Sequence, residues 1–158
     1  MIHPTAIIYD NVTIEDDVHI GPYCIIGAPA ESIRHEGQQG KGVIIETGTK
    51  IHGAVTIDAG TERPTFIGSG CYIMKGVHIG HDARLVKDIR LAPRALIGGH
   101  VEILEGAIIG MGAIIHQRLK IPSMVIIGQG AVVIKKTSLW SSGVFVGNPA
   151  ASIGFREQ

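Results

Sequence analysis

The chain has 158 residues, with 14 Lys+Arg against 14 Asp+Glu, so its formal net charge is zero. That balance excludes a sequence-independent nucleic-acid binder, which needs a basic surface, and the length fits one domain. Aromatics make up only 4% of residues while glycines number 22 and cysteines two, which disfavours long helices and leaves too few thiols for a disulfide scaffold or a cysteine zinc site.

The opening Met1-Ile2-His3-Pro4-Thr5 has neither the basic nor the apolar region of a secretory signal. No run approaches the roughly 18 apolar residues of a membrane span. The expectation is a cytoplasmic protein without a membrane span. From there Ile2, Ile8, Ile14, Ile20 and Ile26 recur every six residues. Residues 28–42 break the register with a polar, glycine-rich stretch that reads as a loop excursion. Ile45, Ile51 and Ile57 resume it. The next interval, Ile57 to Ile67, is ten residues, six plus four, so residues 60–64 form a second excursion. Twelve aliphatic positions then follow at the same spacing, from Ile67 to Val133. The pattern decays into a C-terminal cap at about 138–158, needed to cover the last open coil.

A period of six matches neither a helix nor a simple strand. It suits a short strand and a tight turn, repeated so that strands stack into parallel sheets. Three flat sides close a triangular coil of 18 residues. The fold class predicted is an all-β solenoid, one domain over 1–158, with an aliphatic column inside. Cys24 and Cys71 fall four residues after hexad positions, where small residues point inward, so they are predicted as core thiols.

The 18-residue arithmetic also sorts the eight histidines. Ile79, Ile97 and Ile115 stack on one side, with His81, His100 and His116 just after them. Discounting the four-residue excursion, Ile57 stacks below Ile79 and brings Asp58 into the column, with His78 at its flank. These groups are expected to crowd one corner, since successive coils are about 4.8 Å apart. Clustered histidines serve metal binding or proton transfer. A His81-Asp82 neighbour can fix the imidazole tautomer and raise its basicity.

These residues carry a resemblance. Val77-His78-Ile79-Gly80-His81-Asp82 is similar to the catalytic segment of UDP-N-acetylglucosamine O-acyltransferases, which open lipid A synthesis. Ile97-Gly98-Gly99-His100-Val101, Ile114-Ile115-His116-Gln117, the opening Ile2-His3-Pro4-Thr5-Ala6 and the loop from Glu31 to Gly37 are similar as well. The resemblance implies a left-handed parallel β-helix, the hexapeptide-repeat solenoid, assembled as a homotrimer with sites between subunits. It implies His81 as general base, Asp82 as its partner and the Gly99 N–H as oxyanion donor, with His78, His100 and His116 contacting acceptor or donor near the reaction centre and Gln117 among the substrate-binding residues.

The family's loop carries an Asp and a Lys that contact the sugar; Ser32 and Arg34 stand there, keeping one cation. Asp58 is similar to an aspartate of the N-acyltransferase later in that pathway. Gln129 stands where a glycine lets long acyl chains pass, which implies a short acyl group. No counterpart of the family's helical C-terminal domain is expected within these 158 residues.

The expectation is an acyltransferase with no bound cofactor and no metal. Its co-substrate is an acyl thioester, acyl-acyl carrier protein or acyl-CoA, and its acceptor a sugar hydroxyl or amine, nucleotide-linked. Two alternatives share the fold. A γ-class carbonic anhydrase-like zinc protein would need two histidines five apart, and none are. A non-catalytic β-helix scaffold would not need the His81-Asp82 pair.

Overall fold

The computed structural model describes residues 1–157; Gln158, the final residue of the cap segment, lies outside the described residues. The chain winds as a left-handed parallel β-helix with three flat faces. Strands separated by one coil pair in parallel: His78–Ile79 lies between Thr56–Asp58 and Leu96–Ile97, and Leu96–Ile97 pairs in turn with Ile114–Ile115. This first face has seven strands, from Ile7–Ile8 to Val132–Val133. The second has six, among them Thr65–Ile67 and Arg84–Leu85, and the third has eight.

Most strands are only two residues long, one residue outward and the hexad aliphatic inward. That alternation follows from the pleat of a strand. Ile57, Ile79, Ile97 and Ile115 form one inward column, all at most 1% exposed. Ala83, Ala95, Ala107 and Ala113 fill the corners between columns, each fully buried. A larger residue at those corners has no room in a core packed to crystal density. Each buried isoleucine contributes roughly 2–3 kcal/mol of apolar transfer, so the rigid tube is a sum of repeated small gains.

Two segments depart from the tube. The chain leaves after the strand Ile25–Ala28, makes a single 3-10 turn at Ile33–His35 and rejoins at Val43–Ile45. A bulge in the pairing of Ile25–Ala28 with Thr56–Asp58 sets Ala28 opposite Asp58. The second departure follows Asp58 and ends at Thr65. The two are stitched together: Lys41 N–H donates to the Gly60 carbonyl at 2.6 Å, and Gly60 N–H donates back to the Gly42 carbonyl at 3.1 Å.

At the far end, Gly143–Val146 extends the third face and Ala151–Phe155 runs antiparallel to it. Phe145 is fully buried there, its ring edge-on to Trp140 at 4.9 Å. These aromatics plug the open end of the aliphatic column. The two cysteines are buried in the tube. Burial pushes the Cys24 thiol up, and pushes that of Cys71 up to about 12. Both are core groups in the protonated form. Among the described residues no helix is long and apolar enough to cross a membrane.

Candidate active site

The corner after the strand His78–Ile79 holds His81 and Asp82. Asp82 is fully buried in a left-handed backbone conformation, φ 59°. Its carboxylate receives the backbone N–H groups of Thr61 (2.8 Å), Glu62 (2.8 Å) and Arg63 (2.9 Å), together with the Thr61 hydroxyl (2.8 Å). Three successive amides converging on one anion make a nest. The four extra residues of the second excursion therefore form a strap around the carboxylate. Asp82's own N–H donates to the Thr65 hydroxyl at 2.9 Å, and the Arg63 guanidinium reaches the Asp82 carbonyl at 3.2 Å. Burial by itself would raise the Asp82 pKa. The amides of Thr61, Arg63 and Glu62, with the His81 ring, outweigh it and hold the carboxyl well below the usual range.

An ionised carboxylate can only accept hydrogen bonds. His81 Nδ1 lies 2.8 Å from Asp82 Oδ2, so Nδ1 carries the proton and donates. In the neutral ring the lone pair is then on Nε2. Nε2 faces Gly99: a Cβ built there would lie 2.8 Å from it. Only glycine lets the backbone approach the imidazole so closely. The Gly99 N–H makes no hydrogen bond among the described residues, while its carbonyl accepts from Arg118 N–H at 2.9 Å. His100 packs edge-on to His81, ring centroids 5.1 Å apart, with its Nε2 3.7 Å from Asp82. Burial lowers the His100 pKa, and Arg118 and His81 push the same way against the pull of Asp82. His100 is thus a neutral neighbour at neutral pH.

A cleft of about 280 Å³ opens over this corner, with His81, Gly99 and His78 among its lining residues and Leu96 and Ile114 as an apolar floor. A second cleft of about 310 Å³ adjoins it, and the two share Glu31, Asp58 and His78. The Thr56 hydroxyl holds His78 Nδ1 at 2.8 Å, and His78 Nε2 lies 3.8 Å from Asp58. Burial raises the Asp58 pKa, opposed by His78 and reinforced by Glu31.

Asp58, His78, His81, Asp82, Gly99 and His100 are therefore brought together. Four of the sequence-derived positions lie apart from them. His116 stacks at the same corner, but its Nδ1 is engaged by the Gln117 carbonyl at 3.0 Å, and neither residue lines the cleft. Arg34 is exposed on the 3-10 turn and lines neither cleft. Gln129 is exposed at the corner on the opposite edge of the first face, stacked next to Met111. Thr56 and Thr65 join the site with no sequence signal of their own, Glu31 comes from the first excursion, and Thr61, Glu62 and Arg63 come from the second. The interval of ten between Ile57 and Ile67 was the one signal of the strap.

His81, Asp82 and His100 each bring a ligand atom within 4.8 Å of one another, the spacing a metal needs. Both Asp82 oxygens are already occupied by the strap and His81, more contacts than a carboxylate has lone-pair sites. The carboxylate serves as an acceptor for the imidazole rather than as an open ligand.

No protein-family model matches the chain. It is similar to acyl-(acyl-carrier-protein)–UDP-N-acetylglucosamine O-acyltransferases. The protein of that name from Agrobacterium fabrum is 27% identical over 161 residues, covering 76% of this chain and 58% of the relative. That from Nautilia profundicola is 32% identical over 112 residues, 69% of this chain and 43% of the relative. The chain thus spans about half the length of the curated relatives it matches. The crystal structure of UDP-N-acetylglucosamine O-acyltransferase from Moraxella catarrhalis superimposes with a TM-score of 0.80 at 28% identity, over 99% of this chain and 75% of that one. In sequence and in coil geometry alike, the chain is similar to the UDP-N-acetylglucosamine O-acyltransferases.

Proposed function

We propose that the chain transfers an acyl group from a pantetheine thioester, of acyl carrier protein or coenzyme A, to a hydroxyl or amine of a nucleotide-linked sugar. The observation that carries this reading is His81: its Nδ1 is committed to an ionised, saturated Asp82, leaving the Nε2 lone pair beside the Gly99 N–H, which makes no hydrogen bond among the described residues. His81 takes the acceptor's proton as the acceptor atom bonds to the thioester carbon. The oxyanion formed on the carbonyl oxygen is met by the Gly99 N–H. The C–S bond then breaks, and the leaving thiolate takes the proton from His81. His78 and His100 orient the acceptor around this centre. Arg34 serves the sugar as the loop's cation, His116 and Gln117 contact substrate from the next coil, and Gln129 limits the acyl chain. Both co-substrates belong to the cytoplasm, where we place the reaction.

The test is thioester turnover against nucleotide sugars. His81→Ala is expected to keep the fold and to lower turnover by about 10²–10⁴. A folded variant with near wild-type turnover would sink the assignment.

The working unit in this reading is a homotrimer. Leu96 and Ile114 are each 42% exposed on the floor of the cleft. A neighbouring subunit would cover them and exclude water from the reaction centre. Sedimentation is expected to give three chains per particle; an active monomer at micromolar concentration would refute it.

A further inference from the structure

We propose that the acceptor nucleophile is an amine, and that Asp58, Glu31 and His78 form the pocket that selects it. The proposal rests on the acyl-transfer reading above and narrows it.

Asp58 is 9% exposed as a residue and 13% over its side chain. Its carboxylate accepts no hydrogen bond among the described residues, and His78 Nε2, its nearest basic atom, is 3.8 Å away. A largely buried carboxylate that faces an open cleft with one histidine at 3.8 Å is only partly compensated as an anion. Glu31 adds a second negative charge to the same wall, and neither cleft is lined by a Lys or Arg. The protein thus presents two under-neutralised carboxylates about the same opening as His81. A sugar hydroxyl can donate one hydrogen bond there and neutralises nothing. An ammonium has three donors and a full charge, enough to meet Asp58 and Glu31 together. The diphosphate of a nucleotide sugar is repelled from this spot, so the sugar's own substituent occupies it. Thr56 supports the arrangement by fixing the imidazole of His78.

The chemistry balances. The bound ammonium gives one proton to the Asp58–His78 pair, which passes it to solvent. The free amine attacks the thioester carbon, forming the C–N bond. His81 Nε2 removes the second proton from nitrogen. The C–S bond breaks, and the thiolate leaves as thiol with the proton from His81. The net products are an amide, a thiol and one proton.

The experiment uses the full chain, acetyl-CoA and acyl carrier protein thioesters as donors, and UDP-N-acetylglucosamine beside its analogues in which one sugar hydroxyl is replaced by an amino group. An amino analogue is expected to show at least tenfold higher kcat/KM than the parent. That ratio is expected to fall to within threefold in Asp58→Asn and in Glu31→Gln. Glu31 is an exposed loop residue, so its variant keeps the test decisive if Asp58→Asn does not fold. Equal or better use of the hydroxyl parent overturns the proposal, as does an unchanged ratio in a folded variant. If no acceptor is acylated by any donor, the acyl-transfer reading fails. Calorimetry then decides the pocket: tighter binding of the amino analogue, lost in Glu31→Gln, supports it, and equal binding of both sugars overturns it.

Discussion

Asp82 and Asp58 are both buried at one edge of the same face, yet their surroundings are opposite. Asp82 is saturated by the strap and His81; the Asp58 carboxylate has no hydrogen bond among the described residues and a histidine at 3.8 Å. The first is a finished electrostatic unit that fixes a neighbour. The second is unfinished, and in the proposal above a cationic ligand completes it. In the reading proposed above, the degree of satisfaction of each carboxylate separates an orienting role, for Asp82 behind the cleft, from a recognition role, for Asp58 in its wall.

The largest effect expected from this contrast is at Asp82. Asp82→Asn places an amide where only an acceptor fits and frees the His81 tautomer, so turnover is expected to drop by about 10²–10⁴ for every acceptor. Asp58→Asn is expected to alter discrimination between acceptors instead. Equal behaviour of the two variants across an acceptor panel would erase the distinction.

The two aspartates also carry opposite signs in the pH dependence of stability. The folded Asp82 pKa lies below the unfolded value of about 3.9, so its stabilisation is present in full above that value and is lost progressively as the pH falls from there through the lower folded pKa. The folded Asp58 pKa is raised, so acidification towards about 4 protonates the folded form first and stabilises it. Urea melts across this range are expected to show less acid sensitivity in Asp82→Asn. Asp58→Asn is expected to be more stable than wild type at neutral pH. The reverse pattern would break the comparison.

A smaller effect tests the strap. Thr61→Val removes a hydroxyl bonded to the carboxylate, an interaction of about 1.5–3 kcal/mol when one partner is charged. Turnover is expected to fall about tenfold, with recovery in Thr61→Ser. Loss without recovery in the serine variant would point to backbone disruption rather than to the hydroxyl. The smallest effect is expected at Gln129, far from both carboxylates. Gln129→Gly is expected to lengthen the preferred acyl chain in a donor series; an unchanged length profile removes the residue from the site.

The tube was legible because its cause is repeated. Every sixth aliphatic position reports the same inward direction, and the interval of ten between Ile57 and Ile67, read as six plus four, puts Ile57 below Ile79 and Asp58 in the histidine column. The candidate site was legible only where sequence neighbours are also spatial neighbours, as in His81-Asp82. The strap was not, because three of its four donors are backbone amides, which any residue type supplies. Glu31 was hidden by the path of the 28–42 loop, which no periodicity constrains. His116 shows the limit of the 18-residue arithmetic. Period fixes which backbones stack, while the side chain's rotamer is set by a local carbonyl, here that of Gln117.

The four residues added between Ile57 and Ile67 leave the ladder on either side in register, since Ile57 pairs with Ile79 and Ile45 with Ile67 as if the coil were uninterrupted. A repeat of this kind separates its scaffold from its chemistry at the level of insertions. Corners can gain or lose short segments while the stacked strands keep their partners. New reactivity can therefore enter such a tube by lengthening a turn, without re-solving the core, and by the same route a four-residue deletion could retire an active site and leave the solenoid standing.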